Sequence, residues 1–178
     1  MRTNFRPISE QNALTKLDAL RSEFRSLIAE VYEYRAKACA VCLTPGACCL
    51  DEHFVNVHVS RLEAVAIGKS IADLPEQPQK AVRERTARTI EKYKLDEAID
   101  TRTATYACPL FESGTGCLVH NSAKPLPCIM HACYSSEADL PPDELLDNAE
   151  LAVNKLNDAT YRRPTEHLPI PLAIAKLI

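Results

Sequence analysis

Tryptophan is absent from this chain, and glycine is scarce, with 4 residues in 178. Phosphate-cradling loops need glycine, and neither GxGxxG nor GxxxxGK[ST] occurs, so nothing here points to a nucleotide. HExxH and the GxSxG nucleophile elbow are missing too, so neither a zinc-protease helix nor an esterase serine is in view. Positive charge is not in excess: 21 Lys and Arg face 24 Asp and Glu, a formal charge of −3. A nucleic-acid binder would carry a basic face, so that class is disfavoured. No apolar run approaches the ~18 residues of a membrane span. The opening residues lack the apolar stretch of a secretory leader. The expectation is a cytoplasmic protein with no membrane and no nucleic-acid partner.

The apolar fraction of 46% and charged fraction of 25% are those of an ordinary globular protein. A chain this long buries roughly 70% of its unfolded surface, so no covalent staple is required. One domain spanning 1–178 is expected. The departure from ordinary composition is sulfur: 8 cysteines, all between Cys39 and Cys133. With no export leader in view and a core large enough to stand alone, these thiols read as metal ligands rather than disulfides.

Helical patterning surrounds the cysteines. A helix is expected over 10–37, with Ser9 as N-cap and a seam of Leu17, Leu20, Phe24, Leu27, Val31 and Tyr34. The repeat is too short for a coiled coil, so the seam should pack within its own domain. Phe54, Val55, Val57 and Val59 suggest one short strand. Ser60 and Glu63 form a capping box opening a helix to about Ile67. Residues 79–99 are helical by propensity, with Val82, Ile90 and Tyr93 inward. Pro141 and Pro142 introduce a helix over 143–160 whose inner face holds Leu145, Leu146, Ala149, Val153 and Leu156. The apolar tail from Leu168 must pack on the body or face a partner. The fold class is mainly α: a helical scaffold with irregular cysteine-rich loops and at most one short β element.

The cysteines fall into two groups, separated by the 58 cysteine-free residues 50–107. Cys39 and Cys42 have the CxxC spacing that turns two sulfurs toward one point. The same spacing serves redox dithiols, but no βαβ pattern surrounds it. Cys48 and Cys49 are consecutive, and the small ring they would close on one ion is strained. They reach different ions, or different irons of one cluster, unless one of them is simply a buried thiol. Cys108 precedes Pro109, as in ferredoxin ligand loops. Cys117 follows, and Cys128 and Cys133 fit one turn of helix. Eight thiols suffice for two four-coordinate sites, so His53, His58, His120, His131 and His167 are not required as ligands. Such soft donors select zinc, Cu(I) or iron–sulfur. Eight thiolates against two divalent ions would take the formal charge from −3 to −7. Arg35, Lys37, Arg61 and Lys124 are the nearest cations in sequence.

The series Cys39-x2-Cys42-x5-Cys48-Cys49, then VNVHVSRLEAVAI, CPLFESGTGCLVH and KPLPCIMHAC, resembles the YkgJ-type cysteine-cluster proteins. These carry a CxxCxxCC zinc- or iron-chelating region. The likeness spans about 39–133 and rests on the order of all eight cysteines. Here five residues rather than two precede Cys48, and Lys124-Pro125 stands where Arg-Pro is usual. The resemblance implies metal or cluster binding by Cys39, Cys42, Cys48, Cys49, Cys108, Cys117, Cys128 and Cys133. The expected cofactor is an iron–sulfur cluster or iron, with zinc as the alternative. The expected role is redox or accessory, with a protein partner. The rivals are a structural zinc module for protein–protein interaction and an iron-dependent enzyme, for example one with a methyltransferase-like activity.

Overall fold

The computed structural model describes residues 7–37, 44, 46–50, 55–96 and 101–177. They divide into two compact units. One draws on Met1–Pro45 and Pro125–Glu166, the other on Gly46–Lys124 and His167–Ile178. Helix predominates, as expected.

In the first unit, α1 (Glu10–Val31) starts where Ser9 Oγ accepts the Asn12 N–H at 3.3 Å. Its buried stripe is Ala13, Leu17, Arg21, Phe24 and Ile28. This stripe packs on α4 (Leu126–Met130) and α5 (Asp143–Tyr161). The expected seam shares only Leu17 and Phe24 with it; Leu27, Val31 and Tyr34 are exposed. The helix also ends before residue 37. Tyr32 leaves helical geometry at φ −126°, and Glu33–Arg35 form a 3₁₀ turn. Strand β1 (Ala36–Lys37) then pairs antiparallel with β5 (Cys133–Tyr134), Lys37 opposite Cys133. Residues 32–37 include the good helix formers Glu33, Arg35, Ala36 and Lys37, so the tertiary pairing overrides local propensity.

Helix α5 begins after Pro142, with Asp143 and Glu144 favourably placed against the positive end of its dipole. It ends at Arg162, whose φ is +55°. Tyr161 Oη donates to Glu10 Oε2 at 2.7 Å, tying the end of α5 to the start of α1.

In the second unit, α2 (Arg61–Ala72) opens with the anticipated capping box and runs past Ile67. Ser60 N–H donates to Glu63 Oε2 at 2.9 Å, and Glu63 N–H donates to Ser60 Oγ at 3.3 Å. Helix α3 (Glu76–Tyr93) turns Val82, Thr86 and Thr89 inward. Ile90 and Tyr93, expected there, are only half-buried. The C-terminal stretch forms β6 (Leu168–Pro169) and α6 (Ile170–Ala175), which packs on α2 and α3. The apolar tail is therefore core. Ile67, Ile71, Val82, Leu110, Val119, Ile170 and Ile174 make one buried cluster. Burying each such side chain contributes roughly 1.5–3 kcal/mol against leaving it exposed.

Of the strand expected from Phe54 to Val59, the described residues hold β2 (His58–Val59), which pairs with β6; Phe54 lies outside the described set. With β3 (Phe111–Glu112) and β4 (Gly116–Cys117), the described strands make three antiparallel pairs rather than one β element. Each strand is two residues long, too short for alternation to mark it in the sequence. Among the described residues no helix is long and apolar enough to cross a membrane.

Tyr106, fully buried, ties this unit's loops together. Its hydroxyl donates to Val57 O at 2.6 Å and accepts the Ile170 N–H at 3.3 Å. Val57 O also accepts the Ile170 N–H at 3.1 Å and keeps that donor, so Tyr106→Phe should cost about 0.5–1.5 kcal/mol, the net worth of one hydrogen bond. The check is a lower urea midpoint with an unchanged m-value.

Candidate metal centre

Six of the eight expected ligands fall among the described residues; Cys39 and Cys42 lie outside them. Cys128 sits on α4 and Cys133 on β5, both in the first unit. They do not share a helix as expected, because α4 ends at Met130 and His131 is already extended. Cys48, Cys49, Cys108 and Cys117 all belong to the second unit.

Two turns present these four thiols. Cys48 and Cys49 end a 3₁₀ turn (Ala47–Cys49) that starts from Gly46 at φ +83°. Only glycine takes that conformation cheaply. A Cβ there would also overlap the tip of the Phe111 ring at its Cζ, so the ring abuts the turn. Cys108 and Cys117 bracket a hairpin of β3 and β4, with Phe111 opposite Cys117. Gly114 and Gly116, both at positive φ, shape its tip. The two turns are joined where Cys108 N–H donates to Cys49 O at 2.8 Å. Segments separated by the long cysteine-free stretch thus meet.

Their sulfurs share one electrostatic environment. The Cys49 thiol hydrogen-bonds to Cys48 and feels both Cys108 and Cys117. That hydrogen bond, then burial, then the neighbouring thiols push it well above the usual thiol range. Burial pushes the Cys108 thiol up to about 12. Opposing this, backbone amides of Leu110 and Phe111 are directed at the Cys108 sulfur. The Val119 amide does the same for Cys117, whose thiol is also raised by burial. Amides at these offsets favour a thiolate. The turns are thus arranged for negative sulfur while burial keeps the thiols neutral.

Two cations act on the group. Lys124, one of the four cations picked out in the sequence, lowers Cys117. Arg85 lowers Cys108, and sequence reasoning missed it. It sits on the strongly charged α3, where a charge reads as a solvated face; its only sequence hint is lying three residues after the inward Val82. Arg85 Nε donates to Pro109 O at 2.9 Å, and Nη1 lies 3.5 Å from Glu112 Oε1. Its Nη2 is buried with no hydrogen-bond partner among the described residues. Arg35 instead bonds the Tyr34 hydroxyl at 2.9 Å.

As the side chains stand, no group of three or more His, Cys, Asp or Glu among the described residues is placed to hold a metal ion. The four thiols are gathered but not converged. Their chemistry nevertheless fits a soft metal: four sulfurs, amides aimed at two of them, and an orphaned guanidinium nitrogen beside the hairpin. None of the six described cysteines is in a disulfide.

Two outcomes follow. Gly46→Ala should destabilise the second unit by at least about 1 kcal/mol, through backbone strain and displacement of Phe111. Denaturant unfolding measures it. The raised thiols also set a pH dependence in the metal-free protein. The folded state keeps protons that the unfolded chain releases near pH 9. The stability from this source is complete below about pH 9 and is lost as pH rises toward 12. Chelator-treated protein should lose about 1–2 kcal/mol between pH 8 and pH 10.5, and Cys108→Ala should flatten that slope. No family model matches the chain, and neither a curated protein nor a solved structure matches it.

Proposed function

We propose that the chain is a thiolate metal protein that holds an iron–sulfur cluster or iron, with zinc as the alternative, and serves a redox or accessory role. The ligands are drawn from Cys39, Cys42, Cys48, Cys49, Cys108, Cys117, Cys128 and Cys133, as the YkgJ-type resemblance implies. The observation that carries the reading is the junction of Cys49 with Cys108, which gathers four thiols from two distant stretches. Backbone amides directed at the Cys108 and Cys117 sulfurs favour the thiolate form, which supports the reading.

The chain's own contributions can be stated residue by residue. Cys108 and Cys117, both half-buried, pack against the buried cluster that includes Leu110 and Val119. Amides of Leu110, Phe111 and Val119 stabilise negative sulfur, and Arg85 and Lys124 offset its charge. Exposed Cys48 lies on the solvent side. A bound cluster would supply one-electron chemistry, and that side is where a protein partner would approach. Thiolate ligands persist in a reducing compartment, so the reading carries a cytoplasmic location.

Anaerobic purification followed by iron, zinc and acid-labile sulfide analysis tests it. The expected result is coloured protein containing iron and sulfide, with Cys108→Ser/Cys117→Ser losing at least half of both. Metal-free protein with these thiols oxidised to pairs would overturn the reading. Colourless protein with stoichiometric zinc and no sulfide would replace it with the structural zinc module.

A further inference from the structure

We propose that the face of α1 left open by packing within the chain is covered by the same face of a second copy, the two helices running antiparallel about a two-fold axis.

The apolar seam read from the sequence is only partly used inside the chain. Ala13, Leu17, Phe24 and Ile28 are buried on the side that packs on α4 and α5, while Leu27 and Val31 stay 39% and 41% exposed and Leu20 is half-buried. At about 100° per residue, Leu20, Leu27 and Val31 fall on one stripe beside the buried one. Tyr34, just past the end of the helix, continues it and is 67% exposed. Lys16, Glu23 and Glu30, all exposed, line the edge of this stripe that lies away from the buried side. None of these three charges is in an ion pair among the described residues.

The charge pattern identifies the occupant. Leu20 and Leu27 stand symmetrically about a point between Glu23 and Phe24. Lys16 and Glu30 stand almost equally far from that point and carry opposite charges. Within one chain about 21 Å of helix keeps those two apart. An antiparallel second copy centred at the same point sets Leu20 against Leu27 twice and Lys16 beside Glu30 twice, as a self-complementary two-fold contact requires. The aliphatic stem of Lys16 then covers Val31. A parallel copy would oppose Lys16 with Lys16 and Glu30 with Glu30, which disfavours it. In the antiparallel register Glu23 meets its own counterpart near the axis, and this repulsion weakens the pair. A single helix face buries less than the roughly 800 Å² per partner of a standard interface, so the dimer dissociates on dilution.

The test uses the full chain under reducing conditions, so that exposed Cys48 and Cys133 form no bridge between copies. Sedimentation equilibrium from about 5 to 500 µM should show a monomer–dimer equilibrium. Leu27→Glu should give monomer at every concentration while keeping the wild-type helix content, because the side chain it replaces is already exposed. Lys16→Glu and Glu30→Lys should each weaken the dimer at least about fivefold, and the two together should restore it, since the pair is only reversed. Glu23→Gln should tighten the dimer at least about twofold by removing the repulsion at the axis. Wild type that stays monomeric throughout overturns the proposal, and so does a dimer that persists in Leu27→Glu. A double variant no tighter than either single change overturns the antiparallel register and the proposal with it.

Discussion

A single backbone hydrogen bond, Cys108 N–H to Cys49 O, is the constraint on which the thiol arrangement depends. It fastens a 3₁₀ turn to the base of a hairpin that begins nearly sixty residues later in the chain. The flanking choices are subordinate to it. Glycine at 46 lets the tip of the Phe111 ring abut the turn, and Arg85 pins the hairpin to α3 on either side of that ring. Tyr106, two residues before Cys108, anchors the approach by bonding Val57 and Ile170. The loops are irregular, but their backbones are held at many points.

The thiols themselves are held under tension. Desolvation beside the buried cluster favours S–H, while amides and nearby cations favour S⁻. A solvent-exposed cysteine needs neither influence. A cysteine that is only core filler needs the first and gains nothing from the second. The combination suits sulfur that must become anionic without water, which is the situation of a metal-bound thiolate.

Local chemistry was legible in the sequence; tertiary pairing was not. The Ser9 cap, the Ser60–Glu63 box and the extent of α5 were each decided by residues within a few positions, and each formed as read. The end of α1 was misplaced because β1 pairs with a strand almost a hundred residues away. The buried stripe of α1 was shifted for a similar reason: α4 and α5 select the face, and they accept Ala13, Arg21 and Ile28 over Leu27 and Val31. Cysteine spacing singled out the thiols, and the turns that carry Cys49 and Cys108 are joined by a backbone hydrogen bond. Arg85 stayed hidden, because a guanidinium on a charged helix carries no mark of the loop it will clasp. The tail's apolar character showed that it needed cover, and the fold supplied that cover from its own α2 and α3.

The placement of α6 has a bearing on how the protein is made. Ile170 and Ile174 complete the buried cluster against which Cys108 and Cys117 pack, yet they are synthesised some fifty residues after Cys117. During translation the nascent cysteine turns leave the ribosome before their shelter exists. In that interval Cys108 and Cys117 lack the packing partners that residues 168–174 bring to the cluster.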